Sequence, residues 1–306
     1  MIAPSGVTPR TAVHSERSVA LTFDDLPMSG GGGCEPTAAR EVNRRILDGL
    51  ARASAPATGF VNAGRTCGAP AGELRDEILE AWLDAGQDLG NHTWSHPDLV
   101  RISLDAYLED VRKGGAAVDS LLRQRGRRLV WFRHPFLHAG DTAAKKAGLA
   151  EFLAAHGWRV APVTVDNQEW MYAFVYQRAL ERGDSALAHQ VTSAYFDHIE
   201  DAFAYFEERS REVLGREIPQ VLLLHANRLN ADHMGPLLDR IRARGYRFIP
   251  LEDALSDAAY AADDPYIGRG GPSWIERWAV VGGGEARQGP REHGWVAELY
   301  DRLSAR

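Results

Sequence analysis

The segment SVALTFDD, residues 18–25, places an apolar, β-branched run directly before two adjacent carboxylates. An apolar run of this length, bounded by turn residues, is typical of a buried strand. Adjacent acids at the end of such a strand repel each other, and burial penalises their charge unless a cation neutralises it. The sequence therefore predicts that Asp24 and Asp25 lie beside a metal ion. Two exposed turn aspartates are the alternative, which the apolar lead-in and Pro27 disfavour.

Short apolar runs of the same kind recur along the chain. With the first they occupy residues 18–23, 58–62, 88–90, 129–132, 160–165, 221–224 and 247–250. Segments with helical spacing lie between them, at residues 39–52, 73–85, 104–123, 142–156 and 234–244. Strands that alternate with helices predict βαβ units and a parallel sheet, either open or closed. Seven such units favour an incomplete α/β barrel.

Two regions depart from this alternation. Residues 170–216 form a long helix-compatible stretch where one helix would be enough, and we interpret it as a helical insertion that forms a side wall or lid. Two ordinary packing helices are the alternative. After Tyr260 the chain is rich in Gly and Trp, and we expect it to wrap over the barrel before a short terminal helix.

Composition narrows the functional classes. The 306 residues are 44% hydrophobic and 25% charged, which suits a globular protein with a core. A net charge of −7 argues against a basic surface for nucleic acids. No stretch approaches the roughly 20 apolar residues of a membrane-spanning helix. The N-terminus lacks a secretory pattern, so we expect a cytoplasmic protein, or a periplasmic or secreted one whose signal was removed.

Two cysteines occur, both in Gly-rich segments that we expect to be loops: Cys34 in GGGGCEP and Cys67 in GRTCGAP. Two free thiols are the interpretation we favour. A single disulfide that joins two loops on one face is the alternative, and it would indicate an oxidising compartment.

A second motif, HTWSH at residues 92–96, follows the third predicted strand. Its two imidazoles, four residues apart, can converge on one ion, and Pro97 favours a tight loop over a helix at His96. Such a pair is a weak motif alone. Together with the acids that follow the first strand, it predicts a two-His, one-carboxylate site with open positions. That arrangement is typical of catalytic Zn²⁺ or a neighbouring first-row metal.

Polar residues also follow the fourth, fifth and sixth predicted strands. Arg133, in FRHPF, could hold Asp24 ionised and oriented, although an ion pair without a catalytic role is the alternative. The fifth strand is followed by two acids and an aromatic, Asp166, Glu169 and Trp170. His225 follows LLL at the sixth strand; a lone His there is usually a core residue, but its place beside the other motifs favours a function.

All five motifs stand at the carboxyl ends of predicted parallel strands, where α/β barrels and sheets build their active sites. The chemistry that they permit is metal-assisted hydrolysis. A carboxylate can take a proton from water, and a His can return one to the leaving nitrogen.

In order along the chain, TFDD, HTWSH, RHPF, DNQEW and LLLH resemble the five motifs of the polysaccharide deacetylases, the NodB-homology group known as carbohydrate esterase family 4. The resemblance spans residues 19–225, with matching material to about residue 255. It implies a distorted (β/α)₇ barrel, and the helix-compatible stretch adds a helical insertion between strands 5 and 6 of that barrel. We expect one domain over residues 1–306, with a core at 18–255, the insertion at 170–216 and a C-terminal extension at 256–306.

The resemblance also implies roles for the acids and histidines of the first two motifs. Asp24 would be the general base, and Asp25, His92 and His96 would bind the metal. Zn²⁺ is the expected ion, with Co²⁺, Ni²⁺ or Mn²⁺ as alternatives.

The later motifs receive further roles by the same resemblance. Arg133 would orient the base, and backbone N–H groups around Phe136 would help to hold the oxyanion. His225 would be the general acid, and Leu223 would line the acetyl pocket beside Trp170.

The chain departs from the family pattern in three places. The family usually has an Asp before the aromatic of the fourth motif, thought to tune the acid His, whereas this chain has Glu169. Either Glu169 or Asp166 would then tune His225. The insertion and the Gly-rich segment 30–33 also exceed the minimal pattern, and both could reshape the groove.

These features predict a metal-dependent hydrolase that removes acetyl groups from N-acetylated, or O-acetylated, sugars or polysaccharides. Its partner would be an acetylated glycan or a small acetylated sugar. One alternative is a hydrolase of a small non-peptide C–N amide bond on the same scaffold. The other is a non-catalytic carbohydrate-binding relative, which should have lost one of the acids or histidines named above, and none is lost here.

Overall fold

The computed structural model of the chain describes residues 17–29, 34–70 and 72–305. Seven parallel strands are present in it: β1 Arg17–Leu26, β2 Ala57–Val61, β3 Asp88–Asn91, β4 Trp131–Phe132, β5 Arg159–Val160, β6 Gln220–His225 and β7 Tyr246–Phe248. The first helices are α1 Pro36–Ala53, α2 Glu73–Asp84, α3 Leu104–Gln124, α4 Ala143–Ala155 and α5 Glu169–Glu181. The others are α6 Ser185–Leu214, α7 Arg228–Ala243, α8 Leu251–Leu255, α9 Trp274–Ala279 and α10 Gly294–Ser304.

Strand β1 pairs with three other strands, β2, β6 and β7. The strand order is β5-β4-β3-β2-β1-β6, and β7 pairs with the first residues of β1. Eight of the ten residues of β1 are buried, because both faces of the strand are covered. On one face Phe23 contacts Trp82 of α2 edge-on, with ring centroids 5.6 Å apart. The predicted parallel barrel is therefore confirmed, with SVALTF as part of β1.

The fifth strand differs from the prediction. Residues 160–165 were expected to form one continuous strand, but only Arg159 and Val160 pair with β4. The ladder on β4 ends after the bond from the N–H of Ala161 to the carbonyl of Phe132. The chain then crosses to β6, where Val165 pairs with Leu222. This crossing joins the β5 side of the sheet to β6 and turns an open sheet into a distorted barrel.

Residues 170–216 fold as the expected helical insertion between strands 5 and 6. α5 and α6 pack against each other, and the 30 residues of α6 lie between its N-cap Asp184 and its C-cap Gly215. The aromatic side chains of α6, such as Tyr195 and Phe203, are buried in the core, as helical spacing predicts. The insertion is thus packed against the barrel, and one face of α5 borders the pocket described below.

The preference for two free thiols was wrong, because Cys34 and Cys67 form a disulfide. The two residues follow adjacent parallel strands, β1 and β2, so their loops meet at the same rim of the barrel, with Cα atoms 4.4 Å apart. The Gly-rich segment 30–33, which we expected to shape the groove, lies outside the described residues.

The C-terminal extension wraps over the barrel and ends in a helix, as expected. The N–H of Trp274 at the start of α9 donates to the carbonyl of Val163, 2.8 Å away, and α10 packs against α5. Within residues 17–29, 34–70 and 72–305, none of the helices combines the length and apolar character that crossing a membrane requires.

Candidate metal centre and active site

The residues singled out in the five motifs meet at one rim of the barrel, where the parallel strands end. They border a pocket with a volume of about 1110 Å³. Its lining includes nine of the predicted site residues, Asp24, Asp25, His92, His96, Phe136, Asp166, Trp170, Leu223 and His225. Parallel strands place the side chains that follow them at a common edge, so distant segments of sequence converge here.

Asp25, His92 and His96 form a cluster whose ligand atoms all lie within 4.8 Å of one another. Oδ1 of Asp25 is 3.9 Å from Nε2 of His92 and 3.6 Å from Nε2 of His96. That oxygen is buried and has no hydrogen-bond partner among the described residues. A buried carboxylate oxygen without a partner is costly unless a cation satisfies it, and two imidazoles with one carboxylate form a donor set that suits Zn²⁺.

Unusual backbone angles aim these side chains. Asp25 and His96 have φ of 68° and 60°, in the left-handed region that non-glycine residues seldom adopt. His96 is held there by its N–H, which donates to Oγ1 of Thr93 at 3.0 Å. Nδ1 of His92 lies 2.9 Å from the carbonyl oxygen of Arg133. A carbonyl can only accept, so Nδ1 carries the proton and Nε2 keeps its lone pair for a ligand.

Both imidazoles are neutral at pH 7, which is the form that binds metals. Burial lowers the pKa of His92 and of His96 to about 4, although the charge of Asp25 opposes that shift. Burial alone would raise the pKa of Asp25, but His96, Arg65 and His92 outweigh it and keep that pKa below its usual range. Since the imidazoles are neutral at pH 7, Arg65 is the charged partner there, 4.0 Å from Oδ2 of Asp25.

Asp24 lies next to the cluster but has a different partner. Its carboxylate is nearly completely buried, and Nη1 of Arg133 donates to Oδ1 at 3.2 Å. The guanidinium is fixed in turn, because Nε donates to the carbonyl of Ala161 at 2.8 Å and Nη2 to Oγ1 of Thr22 at 3.1 Å. Burial raises the pKa of Asp24 and the charge of Arg133 opposes that shift. A carboxylate with a raised pKa is a better proton acceptor.

His225 forms a dyad with Glu169. Nδ1 of His225 lies 2.7 Å from Oε2 of Glu169, whereas Asp166 lines the pocket without a described hydrogen bond to that ring. Burial lowers the pKa of His225, but the charge and hydrogen bond of Glu169 outweigh burial and raise it to about 9. Of the two acids that the sequence left open, the geometry thus favours Glu169, because its longer side chain reaches the imidazole. His225 is protonated at pH 7 and can donate a proton.

Phe136, Trp170 and Leu223 line the pocket around these groups. Phe136 has φ of 57° and its ring meets the ring of His96 edge-on, with centroids 4.6 Å apart. One face of α5 continues the pocket wall, with Trp170, Ala173, Phe174, Gln177, Arg178 and Glu181 at helical spacing. That face extends the wall by about 16 Å at 1.5 Å per residue.

Sequence reasoning missed several residues of the site. Asn227 and Asn230 donate to Oε1 of Glu169, with the bond from Asn230 at 2.7 Å, and so fix the carboxylate. The spacing NRLN after the sixth strand is a helix N-terminus, which could have suggested a capping role but gave no sign of a bond to Glu169. Tyr300 of α10 meets Trp170 edge-on, with centroids 5.1 Å apart. No local pattern indicated that the terminal helix reaches the pocket.

The sequence is similar to the sequences of known proteins. The polysaccharide deacetylase family model matches residues 11–155. An uncharacterized 30.6 kDa protein of Geobacillus stearothermophilus is 24% identical over 255 residues, which cover 83% of this chain and 76% of that protein. The peptidoglycan-N-acetylmuramic acid deacetylase PdaC of Bacillus subtilis is 34% identical over 101 residues, which cover 33% of this chain and 18% of PdaC.

A solved structure shares the fold. The CE4 family pseudoenzyme BA3943 of Bacillus anthracis, in a mutant form with restored enzymatic activity, is similar with a TM-score of 0.51 at 17% identity, over 79% of this chain and 68% of that chain. Likeness at this identity shows the fold, and a pseudoenzyme with this fold means that activity has to be argued from the residues of each chain. The family match over residues 11–155, the ordered motifs and the shared barrel make this chain similar to the polysaccharide deacetylases.

Proposed function

We propose that this protein is a metal-dependent hydrolase that releases acetate from N-acetylated sugars. One observation carries the proposal: a buried carboxylate paired with Arg and a protonated His paired with Glu share one pocket with a metal-ligand cluster. Oδ2 of Asp24 is 3.7 Å from Nε2 of His92, which puts the expected base at the cluster. Base, acid and ligand set are the parts that amide hydrolysis requires.

The cluster of Asp25, His92 and His96 fits a divalent cation. The unpartnered oxygen of Asp25 and the Nε2 lone pair of His92 are available for ligation, and Nε2 of His96 lies 3.6 Å from that oxygen. When bound, a divalent ion supplies Lewis-acid polarisation of the acetyl carbonyl and lowers the pKa of water. Zn²⁺ is the ion that we propose, with Co²⁺, Ni²⁺ and Mn²⁺ as alternatives that the donor set also accepts.

The protein side chains account for the proton movements. Asp24 takes a proton from the attacking water, and Arg133 keeps that carboxylate ionised and oriented. The water oxygen bonds to the carbonyl carbon, with backbone N–H groups near Phe136 as donors to the oxyanion. His225 then gives its Nε2 proton to the amide nitrogen as the C–N bond breaks, which yields acetate and a free amine. Glu169 stabilises the protonated imidazole through Nδ1.

The shape of the pocket supports a sugar substrate of limited length. Its volume of about 1110 Å³ is at the upper end for small-molecule sites and exceeds the needs of one acetyl group. Exposed Trp170 and Phe136 offer aromatic surface beside polar groups, and Tyr300 and Leu303 of α10 add a wall. These walls favour a short acetylated glycan or a small acetylated sugar. They also keep a small non-peptide amide as the second candidate substrate.

Acetate release tests the proposal. N-acetylglucosamine oligomers, peptidoglycan fragments, acetylated xylan and small amides would be compared, first with chelated protein and then after Zn²⁺ or Co²⁺ is added back. We expect metal-dependent release that Asp24→Asn abolishes while the variant still binds metal, and that His92→Ala abolishes together with metal binding. Unchanged release by Asp24→Asn would refute the assigned base, and full metal content in His92→Ala would refute the site. Release from amides but from no sugar would favour the second candidate.

A further inference from the structure

The turn Pro135–Leu137 has a conformation that its own sequence does not favour. Phe136 and Leu137 have φ of 57° and 56°, so two consecutive non-glycine residues lie in the left-handed region. Each such residue costs on the order of 1–3 kcal/mol and persists only where the surrounding structure enforces it. Hydrogen bonds inside the turn run from Leu137 to His134 and from His138 to Pro135. Further contacts come from the C-terminal extension.

Gly271 and Arg277 of that extension contact the carbonyl groups of the turn. A Cβ atom at Gly271 would lie 2.1 Å from the carbonyl oxygen of Phe136 and 2.9 Å from Cβ of Leu137, so the backbone at residue 271 packs directly on the turn. Nη2 of Arg277 donates to the carbonyl of Leu137. The two contacts reach successive peptide groups, which are the ones whose orientation a change of φ at Leu137 would alter.

Arg277 is itself held rigidly. Its side chain is completely buried, with its guanidinium carbon 3.8 Å from the ring centroid of Trp274. Nη1 donates to Oδ2 of Asp264 at 2.8 Å, and Nε donates to the carbonyl of Pro272 at 2.9 Å. Lys146 of α4 also pairs with Asp264, at 2.9 Å, so the support is tied to the barrel. A buried guanidinium that donates several hydrogen bonds and forms an ion pair can hold a carbonyl group in one orientation.

The supported turn borders the metal-ligand cluster. The ring of Phe136 meets the ring of His96 at 4.6 Å, and both Phe136 and Gly271 line the pocket. We propose that Gly271 and Arg277, with its partner Asp264, are a functional part of the active site, with Arg277 as a positioning residue that holds the Phe136 turn against His96. For its activity readout this inference rests on the proposed function. It extends the functional unit beyond the expected core limit at residue 255.

Two adjacent glycines provide a matched test. Gly271→Ala places a methyl group against the Phe136 carbonyl, whereas at Gly270 the nearest atom to an added Cβ is the Tyr266 hydroxyl, 3.4 Å away. We expect Gly271→Ala to lower kcat for acetate release by about 10- to 100-fold through a displaced turn, with KM little changed. Gly270→Ala should match the wild type. A wild-type kcat in folded Gly271→Ala would overturn the inference.

A second readout does not depend on activity or on metal. In metal-free protein with labelled histidines, we expect the aromatic ring of Phe136 to shift the NMR signals of His96. The difference between wild type and Phe136→Leu measures that shift. We expect Gly271→Ala to reduce it and Gly270→Ala to preserve it. Identical His96 signals in Gly271→Ala and wild type would overturn the inference, even if no acetylated substrate were hydrolysed.

Arg277 variants separate positioning from folding. Arg277→Lys keeps the charge beside Asp264 but loses the planar fork of donors, whereas Arg277→Met loses both. We expect kcat to fall more in Arg277→Met than in Arg277→Lys, and the shift of the His96 signals to fall in the same order. The compared proteins are matched for folded fraction by circular dichroism. Equal kcat in both variants and wild type would contradict the positioning role.

Discussion

Replacing Glu169 with Gln should move the alkaline limb of the pH–rate profile to lower pH. Oε2 of Glu169 lies 2.7 Å from Nδ1 of His225. Burial lowers the pKa of His225, but the charge and hydrogen bond of Glu169, with smaller contributions from the charges of Asp25 and Asp24, raise it to about 9. Since an amide carries no charge, the variant loses the largest influence that opposes burial. The pKa of His225 should then fall to its ordinary value of about 6.5 or below.

The size of the effect depends on pH. If protonated His225 is the general acid, its protonated fraction at pH 8 drops from about nine tenths to about three hundredths. The value of kcat/KM at pH 8 should therefore fall about thirtyfold, while at pH 6 the loss from this cause should stay below about twofold.

The assay is acetate release from about pH 5 to about pH 10, with kcat/KM fitted at each pH. Glu208→Gln on the exposed side of α6 is the control for the same chemical change. An alkaline limb that stays near pH 9 in Glu169→Gln would refute the dyad. Stability gives a parallel test: a folded-state pKa above 6.5 contributes stability that is complete below pH 6.5 and is lost as pH rises through about 9. The Glu169→Gln variant should not show that loss of stability.

Three further predictions concern the Asp24–Arg133 ion pair, the Cys34–Cys67 disulfide and the pocket wall formed by α10. Arg133→Met should destabilise the protein by about 3–5 kcal/mol in urea unfolding, because it leaves buried Asp24 without its partner; a loss below about 1 kcal/mol would contradict that pairing. Cys34→Ser should remove about 3–4 kcal/mol, since the bond to Cys67 closes a loop with a sequence separation of 33; stability equal to wild type under oxidising conditions would count against the crosslink. Tyr300→Ala should raise KM for short acetylated sugars with kcat retained, and an unchanged KM would exclude α10 from binding.

The barrel was predictable because each strand carries its own signal. SVALTF is a short run of apolar and small residues that ends in acids, so its burial and its place at the rim followed from local sequence. The prediction of the fifth strand was wrong in detail. The chain changes its pairing partner from β4 to β6, and that change depends on which strands are neighbours in space. The sequence of residues 160–165 does not name the strand with which Val165 pairs.

The candidate site was predictable where the residue types themselves indicate the chemistry. The acids Asp24 and Asp25 and the histidines His92 and His96 suggested ligands by type and spacing, and the structure brings them together. Contacts that join distant segments were not predictable. The reach of Tyr300 to the pocket and the disulfide of Cys34 depend on how the C-terminal helix and two loops pack, and neither has a local sequence pattern.

The crossing of the chain from β4 to β6 has a consequence for how such proteins diversify. Val165 pairs with Leu222, and Nδ2 of Asn167 donates to the carbonyl of Leu223 at 2.8 Å, so the segments before and after the insertion are joined directly. The Glu169–His225 dyad sits at this junction. The helical hairpin beyond it is held to the barrel by buried side chains of α6 such as Tyr195 and Phe203. Recombination or protein engineering could therefore exchange it only for a hairpin that keeps those contacts, while the junction itself holds the acid and its partner in their geometry.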